Sequence, residues 1–431
     1  MSGVENVTGS GSSHQRGRVG RRTYVAMLTL ILTVNLLDRQ ILAILAEPIR
    51  LELGLSDFQL GILNGLAFAT VYAALTLPIA RLADSRDRIT ILAACTTIWS
   101  LMCGACGLAA NFAQLCAARM GVAAGEAGTG PAAHSLISDL FEPDRRGQAI
   151  AFFQLGAPFG ILLAFGVGGP LAQAIGWRWT FFVLAVPGII VALLARVILR
   201  DPRIRPPIGK EAVRTPFLRD VRIVLAEPGI RRLILAGALT GTAVFGMVVW
   251  VPVLFQRQFG WSVGEAGITF GAMLGLLGIT GTILGGKLGD RLQQRRNDGY
   301  VLLVGLSMLV SSVPLAAALL IGSAPIALVL LVVPLTGLAM YQGPLAAAMQ
   351  NTAPPQHRAM ASAMLVMAIN FVGLGFGPTA IGGLSDLLAK AGFANSLAYA
   401  LLLAPLAAAL CGVILLRSCH RKASRPASTL N

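Results

Sequence analysis

The chain has 431 residues, of which 55% are hydrophobic and only 12% charged, with a formal net charge of +15. Soluble domains carry about twice that charged share, so the composition excludes a soluble globular protein and specifies a membrane protein. The excess of basic residues does not signal nucleic acid, because it is spread over alternate loops rather than gathered on one face.

A basic tail over residues 1–22 opens the chain. Runs long enough to cross the bilayer, about 20 apolar residues each, begin near Thr23, Phe58, Arg88, Ala113, Arg145 and Trp177. A polar central loop follows over 200–228. Six further runs begin near Gly229, Ser262, Gly299, Ala324, His357 and Asn395, and a second tail covers 418–431. The expected fold is all-α and integral to the membrane: twelve transmembrane helices in two six-helix bundles, 23–199 and 229–417, related by pseudo-two-fold symmetry.

Arg39 and Arg119 fall inside spans, and Arg50, Arg178, Arg257 and Lys390 fall on one side. Most other basic residues lie on the side that carries both termini and the central loop. That bias orients both termini toward the cytoplasm of a bacterial inner membrane, with anionic lipid headgroups as the partner for the charge and no nucleic acid. The first apolar run is too long for a secretory signal, so no cleavage is expected. The six cysteines lie in or just beyond spans, so no disulfides are expected, and the Cys103-x-x-Cys106 spacing on an apolar helix reads as packing.

Two stretches recur. GLSDFQLGI at 54–62 returns as GWSVGEAGI at 260–268, and Asp84 returns as Asp290, both at an offset of 206 residues. A fixed offset marks a duplicated half. Ser56 with Gln59, and Ser262 with Glu265, have capping-box spacing and start spans two and eight. These spans end in Ala80-x-x-x-Asp84 with Arg86 and Arg88, and in Gly286-x-x-x-Asp290-Arg291 with Arg295 and Arg296. Arg146-Gly-Gln-Ala149 recurs as Arg358-Ala-Met-Ala361. The pattern resembles the loop motif of the major facilitator superfamily. That resemblance implies a gate lock on the cytoplasmic side made by Asp84, Arg88, Arg146, Asp290, Arg291 and Arg358. The first copy departs from the family form at Ala80, Ser85 and Asp87, so its lock is expected to be weaker.

Charges in hydrocarbon cost about 2.5–3.5 kcal/mol each on insertion scales, so they persist where they pair or work. Span one carries Asp38-Arg39 within NLLDRQILAIL, and span four carries Arg119 and Glu126 within ARMGVAAGEAGTGPAAHSL. Seven residues apart, Arg119 and Glu126 share one helix face. Gly121, Gly125 and Gly128 let a neighbouring helix come close. The expectation is a buried cluster of Asp38, Arg119 and Glu126 in which two acids share one arginine, a natural proton site. His134 is a candidate relay. Spans of the second half offer Trp250, Tyr341, Gln342 and Asn370, polar but uncharged, as candidate cavity residues. No nucleophile–base pair or metal constellation stands out, so an enzyme is not expected, nor any cofactor beyond a coupling proton.

DRQ in span one, RMGVAAGEAG in span four, AHSLISDLFEPDRRGQA after it and GWRWTFFVLAVPG at 176–188 resemble the Spinster branch of that superfamily. The resemblance covers the first half well and the second half only as a superfamily bundle. It implies a proton-linked, monomeric carrier of lysophospholipids or sphingosine phosphates, with Asp38, Arg39, Arg119 and Glu126 in coupling and substrate roles. A cavity charged on one wall and apolar on the other also suits a substrate with one polar and one oily end. Gly156-Ala-Pro158-Phe-Gly160 in span five resembles a weak form of the superfamily's antiporter motif. A proton symporter of small organic anions and a drug/proton antiporter are the alternatives.

Overall fold

The computed structural model describes residues 20–202 and 217–423. Both expected tails, except for their innermost residues, and segment 203–216 of the central loop lie outside the described residues. Among the described residues, eleven helices are long and apolar enough to cross a membrane: Arg21–Leu53, Asp57–Ala83, Arg88–Cys106, Arg145–Gly166, Gly168–Ile198, Pro228–Phe259, Val263–Arg295, Gly299–Leu320, Ala324–Thr352, Met360–Lys390 and Ser396–Cys419. The remaining span, the fourth in order, is broken into Phe112–Glu126 and Thr129–Leu140, neither long enough alone. The order is therefore six spans, a connection, and six spans. The connection is not wholly a loop: Phe217–Ala226 is a short helix, and its Val224 is buried.

The repeat has a local cause. Span one ends at Gly54 and span seven at Gly260, both in the left-handed region at φ of 64° and 68°. Glycine adopts that conformation without the Cβ penalty and closes the helix. Two residues later Ser56 and Ser262 each complete a capping box with Gln59 and Glu265. The same tight hairpin is thus built twice.

The first and last described residues, Gly20 and Ala423, lie at one face of the bundle, the terminal face; the opposite one is the far face. The two halves meet along the far-face portions of their spans, five and six against eight, two against eleven, and one against seven. Contact there is close enough to require glycine. A Cβ at Gly61 would meet Pro378 O at 2.6 Å, and one at Gly267 would meet Gly169 Cα at 2.9 Å. Toward the terminal face the halves part. Leu77 and Leu82 of span two, and Val366 and Met367 of span eleven, are exposed.

Candidate functional site

Halfway along span one, a cluster of charged groups lies within the first half. Asp38, Arg119 and Glu126 are all buried, at 0%, 1% and 1% exposure. The strongest contact is between Arg39 and Glu126: Nη2 and Nε of the guanidinium donate to one carboxylate oxygen at 2.5 and 2.8 Å. Arg119 donates to the main-chain carbonyls of Asp38 and Arg39, each at 3.4 Å. The expected trio is therefore brought together, but its wiring differs. Two acids are matched by two arginines, and Glu126 is paired by Arg39, the neighbour of Asp38 on span one, rather than by Arg119. Spacing on span four puts Arg119 and Glu126 on one helix face and carries no information about which guanidinium reaches across.

The glycines of span four admit span three as the close neighbour. A Cβ at Gly125 would meet Trp99 N at 2.6 Å, and one at Gly128 would meet Cys95 Sγ at 2.8 Å. Span three, not span one, comes close there. The helix breaks just past Glu126, and His134 beyond the break is exposed, edge-on to Phe153 with ring centroids 5.5 Å apart. It does not join the cluster.

An aromatic shelf from span two underlies the arginines. Phe68 and Tyr72 stack at 5.7 Å, with the Arg39 guanidinium 4.8 Å and 5.2 Å from their centroids and Arg119 5.4 Å from that of Phe68. Such contacts spread and stabilise a cation out of water. Sequence reasoning passed over this pair, although an i, i+4 aromatic spacing on a span with no other aromatic residue after Phe58 was the available signal.

The second-half candidates are dispersed. Trp250 is fully enclosed and its indole donates to Pro378 O at 3.0 Å, tying span seven to span eleven, so it does not line the cleft. Tyr341 is buried at the break in span ten and Gln342 beside it is exposed. Asn370 lies on a π-helical stretch, Ala368–Phe376, and donates to Val366 O at 3.0 Å. Such stretches are rare and concentrate at functional sites.

The terminal-face motif residues make contacts inside their own halves. Asp290 accepts from the Tyr300 hydroxyl at 2.8 Å. Buried Arg88 pairs with Asp139 at 2.6 Å and with Asp201 at 2.7 Å. Arg146 donates to Phe141 O at 2.9 Å, and Arg291 and Arg358 are exposed. Asp84 sits on span two, with its side chain outside the described part of the structure. The far face is held by ionic contacts that sequence reasoning missed. Arg257 of span seven bonds Asp57 at 2.7 and 2.9 Å and Glu47 at 2.7 Å, and Arg50 also pairs with Glu47. From span eleven, Ser385 donates to Asp57 at 2.7 Å, while Asp386 accepts from the Asp57 and Phe58 amides that open span two. This arrangement is closed at the far face and parted at the terminal face, with the buried cluster between.

Two six-helix halves joined at one face, with charge buried halfway along the spans, are the architecture of a membrane transporter. Comparison with known proteins agrees. Residues 28–378 match the Major Facilitator Superfamily. An MFS-type efflux pump of Mycolicibacterium smegmatis is 32% identical over 391 residues, covering 90% of each chain. Protein spinster homolog 3 of Danio rerio is 26% identical over 437 residues, 95% of this chain and 88% of that one. A crystal structure of a bacterial homolog of the human lysosomal transporter Spinster, inward-facing and unoccupied, superposes with a TM-score of 0.78 at 29% identity, covering 94% of this chain and 96% of that one. The chain belongs to the major facilitator superfamily and is Spinster-like; it is a transporter and not an enzyme.

Proposed function

We propose that this transporter couples proton movement to the passage of an amphipathic lipid, of the lysophospholipid or sphingosine-phosphate kind, in a bacterial inner membrane with its terminal face toward the cytoplasm. The observation that carries the reading is the asymmetry of the interior. Asp38, Arg39, Arg119 and Glu126 all belong to the first half, while the second-half spans carry no charge between Leu233 and Phe255, or between Ala266 and Gly286. A molecule with a charged head and an apolar body matches both walls at once. A small dianion would leave one wall unused.

Glu126 and Arg39 give the head a way to exchange. Protonation of Glu126 removes the negative charge that holds Arg39, and Arg39, whose side chain is 17% exposed against 0% for Glu126, is then available to an anionic headgroup. The chain works as a monomer with protons as the coupling ion and membrane lipids around it. A relative from Arabidopsis thaliana, 22% identical over 330 residues and named a probable sphingolipid transporter, supports the lipid reading. The Mycolicibacterium smegmatis efflux pump supports a second reading, a drug/proton antiporter that uses the same cluster for coupling.

Binding of lysolipids with one headgroup and graded chain length, in nanodiscs and corrected for transfer from micelles, tests the proposal. Affinity should rise by up to about 0.8 kcal/mol per added CH₂ that is buried. A flat series favours a small organic anion. Tight binding of hydrophobic cations with no response to the anionic headgroup favours the antiporter.

A further inference from the structure

Asp38 is fully enclosed, yet neither of its carboxyl oxygens holds a hydrogen bond among the described residues. The two arginines beside it are engaged elsewhere, Arg39 with the Glu126 carboxylate and Arg119 with main-chain carbonyls. Span one packs on span three at this level, and the Trp99 indole and the Cys103 thiol come within interaction range of the Asp38 carboxyl without a formed hydrogen bond. Both side chains are 0% exposed, and Trp99 Nε1 likewise has no acceptor. An enclosed acceptor and an enclosed donor, unspent and adjacent, are costly to maintain unless they serve one another in some state of the protein. The fold takes care to bring them there. Gly125, next to Glu126, packs on the Trp99 main chain so closely that a Cβ would meet Trp99 Cβ at 2.8 Å.

We propose that Trp99 is a positioning residue for Asp38: its indole N–H, assisted by the Cys103 thiol, is the donor that ionised Asp38 takes, so span three governs when Asp38 changes charge. The inference rests on the proton-coupled reading above and adds a third helix to it. The titratable and charged groups facing Asp38 are Glu126 and Arg119 from span four, Cys103 and Cys106 from span three, and Arg39 beside it on span one. Glu126 repels a second negative charge and Arg119 attracts it, but neither guanidinium donates to the Asp38 carboxyl. The span-three groups do not merely fill space, because they are the protic side chains in contact with it. Span three packs in turn along span six, so a charge change at Asp38 reaches that helix through span three as well as directly from span one.

Infrared pH-difference spectroscopy on the full chain in nanodiscs, with no substrate, tests this. The carbonyl band of protonated Asp38 is assigned by its loss in Asp38→Asn. Trp99→Phe keeps an aromatic ring and removes the N–H. It should change the frequency of that band and move its titration midpoint to higher pH by about one unit, since one unit corresponds to the strength of a single modest hydrogen bond to a charged group. Cys103→Ala should move it the same way by less, and Trp250→Phe, in the other half, should leave it in place. An unmoved midpoint in both Trp99→Phe and Cys103→Ala overturns the proposal, and if Trp99→Phe does not fold, Cys103→Ala decides alone. Absence of any band lost in Asp38→Asn overturns this proposal together with the proton reading, whereas a band with an unmoved midpoint overturns this one only.

Discussion

The far face and the terminal face of this transporter are built on the same duplicated hairpins, yet they are held in opposite ways. At the far face, Arg257 is shared between Glu47 and Asp57, Asp386 caps span two from across the seam, and glycines let the backbones touch. At the terminal face, the motif acid Asp290 bonds Tyr300 within its own half, and apolar residues of spans two and eleven are left exposed. One set of charges is spent between halves while the other is kept within them. On the function proposed above, this is the pairing of one closed and one unlocked gate that alternating access requires.

The largest expected effect comes from breaking the far-face contacts. Arg257→Ala leaves Asp57 without its base and Glu47 with Arg50 alone, and removal of one partner from a buried pair costs about 3–5 kcal/mol. A shift of that size is close to the roughly 5.5 kcal/mol that inverts a 1:99 population. Spin-label distances across the far face should lengthen markedly. An unchanged distribution would show that the seam is packing and not a lock. Asp386→Asn should have a smaller effect in the same direction, because the amide oxygen still accepts from one of the two free helix-start amides.

Arg119→Ala should be next in size and should differ in kind. It removes the donor to the Asp38 and Arg39 carbonyls deep in the first half. Loss of thermal stability in detergent should therefore accompany loss of transport, while Asp38→Asn, which removes no hydrogen bond found in this state, should cost transport with little stability. Equal stability losses in the two variants would contradict the wiring described here.

The smallest effect is expected at the unlocked end. Asp290→Asn and Tyr300→Phe each weaken one exposed hydrogen bond, so both should change stability by about 1 kcal/mol or less. Asp290→Asn alone should bias the population further toward the terminal-face-open arrangement, because only the acid can lock the halves when they close. If Tyr300→Phe shifts the spin-label distances as much as Asp290→Asn does, the gate role of Asp290 fails.

What the sequence made legible follows the same divide. The twelve spans, the paired hairpins and the terminal-face motifs were readable because each is a local pattern, set by apolar run length, a left-handed glycine, a capping box or a repeat at fixed offset. The membership of Asp38, Arg119 and Glu126 in one site was readable because charge in hydrocarbon is rare. The choice of Arg39 as partner for Glu126 was not, since it depends on where span one crosses span four. Nor was the far-face lock, whose members come from four separate spans with no shared spacing: Glu47, Asp57, Arg257 and Asp386. Each looks alone like an ordinary charge at a helix end. Trp250 misled for the reverse reason, because a polar atom on an apolar span suggested a cavity while its N–H was already bonded to Pro378 O.

Asp38 and Glu126 are proposed to form one proton-linked switch between the two arrangements. Its most direct test is the pH midpoint of the terminal-face spin-label distance in the wild type, Asp38→Asn, Glu126→Gln and the double variant. Glutamine keeps the shape of a protonated glutamate and breaks the charge pairing with Arg39, so each single variant should displace the midpoint. Their effects should be non-additive, because residues that titrate together share macroscopic pKa values. A Glu126→Gln protein with a wild-type midpoint and intact proton-driven transport would contradict the account.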